Sequence, residues 1–143
     1  MGTGLSDMER QHVKERTEEV RREKRAGKGS KKAEADKAAV RAKIEAMAEP
    51  DRGLAEQLHR IITTSAPELA PKLWYGQPAY ARKGKVVCFF RSGQDDGERY
   101  STFGFTPEAN LDQDGFWPTS FAVTALSAEA EEQVEAMLRR ALV

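Results

Sequence analysis

Aromatic residues are missing from the first 73 positions. The chain's two Trp, three Tyr and six Phe all fall between Trp74 and Phe121. Aromatic side chains carry the largest apolar area per residue. A front without them cannot build much core, so most of the core is expected from the C-terminal part. Cysteine is scarce as well. The single Cys88 excludes an intrachain disulfide, and a reducing cytoplasm is the expected setting. No window approaches the roughly 18 apolar residues of a membrane span, so no membrane partner is expected. The opening MGTGLSDMER has no apolar stretch behind a basic start, so no signal peptide is expected. His12 and His59 are the only histidines, and neither sits in an H-x-x-x-H or C-x-x-C spacing. That leaves no zinc signature, and no metal or cofactor is implied.

Net charge is also lacking, with 23 Lys+Arg against 23 Asp+Glu. No global field steers a partner. The charge is uneven along the chain, however. Between Arg21 and Lys32 seven basic residues face one acid, Glu23. Residues 5–26 read as a helix that is polar nearly all round, and Lys28 to Ala35 reads as a linker. A charged extension is therefore expected over 1–35 and a folded domain over 36–143.

In the second part the apolar pattern is clear. Asp36 is expected to cap a helix with the stripe Val40, Ile44 and Met47, ending at Pro50. Asp51 is expected to cap the next, with Leu54, Leu58, Ile61 and Ile62 on one face. Pro67 starts a short turn toward Pro71. The period then changes to two. Trp74 to Arg82 reads as one strand, with Pro78 suggesting an edge or a bulge. Lys83-Gly84 reads as a tight turn. Lys85 to Arg91 reads as a central strand covered on both faces, with Val86, Cys88 and Phe90 opposite Val87 and Phe89. Arg99 to Thr106 and Ser120 to Leu126 read as further strands. Ser127 is expected to cap a last helix with Val134, Met137, Leu138 and Ala141 on its buried face. Sequential strands joined by short turns pair antiparallel. The expected class is α+β, with an antiparallel sheet of four to five strands packed with helices behind a polar N-terminal helix.

The stretch KLWYGQPAYARKGKVVCFF at 72–90 resembles the YdhG-like family of small bacterial domains of unknown function. The pattern continues from LAEQLHRIITTSAPEL at 54–69 through Trp74, Gly76, Pro78 and Tyr80 to Phe89-Phe90 and the FGF run at 103–105, covering about residues 36–143. The resemblance implies a small α+β domain with an antiparallel sheet. Some members are labelled iron chaperones by analogy with frataxin-like folds. No agreed catalytic residues come with it. Iron delivery of that kind needs clustered carboxylates, because iron as a hard ion takes oxygen ligands. Here Asp36, Glu45, Glu49, Asp51 and Glu56 are interleaved with Lys37, Arg41, Lys43, Arg52 and Arg60, which reads as an ordinary solvated surface. The acids Asp95, Asp96 and Glu98, and Asp112 and Asp114, read as polar loops.

Two function classes stay open. The first is a non-enzymatic domain that binds a small molecule or a partner protein. Its site would lie where Gly76 and Gly104 leave gaps beside large rings, with Trp74, Tyr75, Gln77, Tyr80, Tyr100 and Trp117 as contacts. The alternative for these rings is plain core packing. The second class is a nucleic-acid-associated protein whose contact is Arg21, Arg22, Lys24, Arg25, Lys28, Lys31 and Lys32. Such a run without aromatic partners gives salt-sensitive, non-specific affinity. An enzyme ranks last, since Cys88 in an apolar strand reads as a core residue and no base or oxyanion donor accompanies it. His59 reads as a boundary residue beside the Leu58 stripe.

Overall fold

A computed structural model of the protein describes residues 29–143. The helix expected over 5–26, with His12, lies outside the described residues. Residues 36–143 form one compact unit.

The first described helix, α1, covers residues 29–46. Residues 29–35 are thus helical rather than a linker, and Asp36 lies inside the helix rather than capping it. The local chemistry accounts for this: Lys31, Lys32, Ala33, Glu34 and Ala35 are helix-compatible or strong helix formers, and no breaker follows Gly29. Val40, Ile44 and Met47 are buried as their spacing requires. Helix α2 spans Asp51–Ser65 and buries Leu54, Ala55, Leu58, Ile61 and Ile62. Pro50, not Asp51, holds its N-cap position, and no side chain caps that end.

Five strands follow: β1 Ala70–Trp74, β2 Gln77–Arg82, β3 Lys85–Arg91, β4 Ser101–Phe105 and β5 Ser120–Val123. They form one antiparallel sheet in the order β1-β2-β3-β4-β5. Helix α3, Ala128–Ala141, closes the fold, and the Ser127 side chain accepts a bond from the Ala130 N–H. The class is α+β.

The segment 74–82 departs from a single strand. The chain reverses at Tyr75-Gly76, with φ of 50° and 75°, and Trp74 pairs with Gln77. Two consecutive positive φ values define the tight turn that matches strand twist. Lys83-Gly84 makes the expected second turn in the same way, with φ of 53° and 80°. Pro78 therefore sits on an interior strand, not at an edge. Its missing N–H costs nothing in the β2–β3 ladder, because that ladder begins only at Ala79↔Phe89. The bulge lies further on. Tyr80 pairs with Cys88 and Ala81 with Val86, which leaves Val87 as the extra residue of β3.

That bulge changes the expected alternation. Val87 and Cys88 are sequence neighbours, yet both belong to the core, because an extra residue lets two successive side chains share a face. The cross-strand rows Tyr80–Cys88–Phe105 and Phe90–Phe103 meet Leu58, Ile62, Val134 and Leu138 in one cluster. Phe89, on the other face of β3, is half-buried rather than enclosed. The strand is central but not sealed on both sides.

Candidate functional site

The six aromatic and amide residues expected to form one site separate into distinct places. Trp74, Tyr75 and Gln77 meet at the β1–β2 hairpin tip, where with Phe89, Arg91 and Asp96 they line an open depression of about 370 Å³. The Trp74 ring lies 5.3 Å from Phe89 and 4.9 Å, edge-on, from Tyr75. Tyr75 is 89% exposed. Tyr80 points to the opposite face and is 1% exposed. Tyr100 lines a separate hollow with Pro50, Gly93 and Thr124. Trp117 is half-buried and packs against the core.

Neither glycine leaves the gap expected of it. Gly76 serves the turn, and nothing lies within 4 Å of where its Cβ would be. Gly104 is filled over: a Cβ there would fall 2.5 Å from Cζ of Phe89. The far end of the Phe89 ring therefore reaches over Gly104 on β4, and the ring meets Trp74 at a tilt of 55°. The aromatic surface is a shallow platform, not a cavity.

The loop after β3 frames the platform, and its anchor is Asp51. The Asp51 carboxylate is buried and accepts from the Ser92 hydroxyl and from the Gln94 N–H at 3.1 Å. The Ser92 oxygen in turn accepts from the Asp95 N–H at 3.2 Å. Asp95 then reaches Lys43 at 2.8 Å and the Gln77 amide at 3.2 Å. The Lys43 and Gln77 hydrogen bonds hold the Asp95 carboxyl below its usual range. Arg91 pairs with Asp96 and with Glu98, each at 2.8 Å. The three loop acids are thus committed to cations of their own domain. Among the described residues no group of three or more His, Cys, Asp or Glu is placed to hold a metal.

A second constellation was not visible in the sequence. Nδ1 of His59 lies 2.8 Å from the buried Tyr80 hydroxyl. Burial, then the nearby Arg41 guanidinium, lowers the His59 pKa. Burial, then Cys88, pushes that of Tyr80 well above its ordinary range. His59 and Arg41 line a cleft of about 340 Å³ with Lys37, Thr63, Leu69 and Pro71. His59 faces α1 from one side of α2, and only the sheet register brings Tyr80 beneath it. No spacing rule links positions 41, 59 and 80.

Cys88 is fully buried, and burial raises its thiol pKa far from neutrality. It packs and offers no nucleophile. Of the basic run, Lys31 and Lys32 lie on α1 and are exposed, while Arg21, Arg22, Lys24, Arg25 and Lys28 lie outside the described residues. Among the described residues no helix is long and apolar enough to cross a membrane. No protein-family model matches the chain, and no curated protein or solved structure matches it.

Proposed function

We propose that this is a cytoplasmic, YdhG-like binding domain without catalytic chemistry of its own, which takes a flat small molecule on the Trp74 platform. The observation that carries this reading is the placement of Phe89 across Gly104, which sets its ring against Trp74 and leaves Tyr75 projecting at the hairpin tip. The rings are tilted to one another, Phe89 by 55° and Tyr75 by 61° from Trp74, so a planar ligand stacks on one of them and meets the others edge-on. The polar groups at the rim, Gln77 and Arg91, are already held in place by Asp95, Asp96 and Glu98, so binding would cost little ordering of the site. The buried, unreactive Cys88 supports a binding role over a chemical one.

The test uses Trp117→Phe, which leaves Trp74 as the single indole. Its emission is followed against a panel of nucleosides, flavins and other planar metabolites. A saturable change that disappears in Phe89→Ala supports the proposal. No change in emission or melting temperature across the panel overturns it.

A further inference from the structure

The cleft beside His59 is independent of the Trp74 platform, and its chemistry points elsewhere. Among the described residues Tyr80 makes one side-chain hydrogen bond, to Nδ1 of His59. If Nδ1 carried the proton, the buried Tyr80 O–H would have no acceptor. A buried donor left unpaired is costly. The pairing with no such loss has the hydroxyl donating to Nδ1, which puts the ring hydrogen on Nε2. Nε2 has no partner among the described residues. Among the described residues no buried side-chain nitrogen or oxygen lacks a partner, so Nε2 reaches solvent, and His59 opens into the cleft with Arg41. Arg41 is exposed, and it makes no hydrogen bond or ion pair among the described residues. Glu45 and Glu56 line the neighbouring hollow that Arg41 and His59 share, but neither comes within ion-pair distance of Arg41. Among the described residues the cleft therefore presents an outward N–H and a guanidinium without an ion-pair partner, with Lys37 and the Thr63 hydroxyl also on its wall.

We propose that this cleft binds the oxyanion group of a small molecule, a phosphate or a carboxylate, between the Arg41 guanidinium and the His59 Nε2–H, with Tyr80 as the positioning residue that fixes the ring. A guanidinium is the side chain best shaped to hold such a group by paired N–H donors.

The test is a titration of the full chain, labelled with ¹⁵N-histidine, with inorganic phosphate and separately with acetate. Chloride at matched ionic strength is the reference, and His59→Gln assigns the signal against His12. The free protein should show Nδ1 as the bare nitrogen and Nε2 as the protonated one. Phosphate or acetate should shift the His59 signals saturably, and the anion that does so identifies the source. Arg41→Gln, a surface change that keeps a good helix former, should weaken binding about tenfold or more. Tyr80→Phe should erase the fixed tautomer, and in a folded variant that is a signature of positioning. The proposal is overturned by a proton on Nδ1, by a response that chloride reproduces, by no saturable shift with either anion, or by affinity unchanged in Arg41→Gln.

Discussion

At the scale of single residues, the polar groups under the sheet decide more than their number suggests. Asp51 is a first-turn residue of α2, where a carboxylate also suits the positive helix end. Its larger role is to hold Ser92 and Gln94. Asp51→Ala would leave two donors without their acceptor, and an unsatisfied buried group costs about 1–3 kcal/mol. The variant should unfold at correspondingly lower denaturant. Asp51→Asn, which keeps one acceptor oxygen, should lose less. His59 has a pH signature. Its folded pKa lies below its ordinary value near 6.5, so the unfolded chain binds the extra proton first. Stability is then full above that value and falls as pH drops through it toward the folded pKa. Melting temperatures of wild type and His59→Gln should therefore diverge in slope just below pH 6.5, the wild type falling more steeply. The Asp95 contribution belongs to a separate window, lost only as pH falls below about 3.8.

At the scale of elements, the β1–β2 hairpin governs where the platform sits. Its turn needs positive φ at both residues, and only Gly76 meets that need without steric cost. A Cβ at Gly76 would touch nothing, so Gly76→Ala isolates the conformational term. It should destabilise the domain by about 1 kcal/mol, while Gly76→Asn should cost less because Asn tolerates that region. Denaturant melts of the two variants measure the difference. The hairpin also explains why one strand was expected where two exist. Tight two-residue turns are signalled by Asn-Gly or Asp-Gly, and Tyr75 is a bulky residue at φ 50°. Its conformation is imposed by the pairing of β1 with β2, which a local reading does not contain. The helices were easier: the stripes of α2 and α3 and the Ser127 cap follow from spacing alone.

At the scale of the whole molecule, one core joins α1 and α2, the sheet and α3 over residues 40–141. Cys88 is its natural probe. It is fully buried on the central strand β3, and no local fraying exposes a residue so placed. Labelling by a thiol reagent should proceed only through global unfolding. The opening free energy should match that from denaturant melts, with the same dependence on denaturant. Labelling that is faster, and independent of denaturant, would mean that β3 opens on its own.

Periodicity and composition were sufficient for the α+β class, the core faces of the helices and the packing role of Cys88, because each depends on neighbours within one or two turns. The aromatic clustering pointed to the sheet side of the core, but the aromatic-free front also contributes Val40, Ile44, Leu54, Leu58, Ile61 and Ile62 to it. The clustering did not divide the rings, because alternation along one strand fails wherever the chain turns or bulges. Tertiary structure alone decided that Trp74 and Tyr80 lie on opposite faces, that Phe89 fills the space over Gly104, and that Asp51 anchors a loop 41 residues away. It also decided that Arg41, His59 and Tyr80 meet. Those contacts join residues from separate elements, and their geometry exists only once register and helix placement are set.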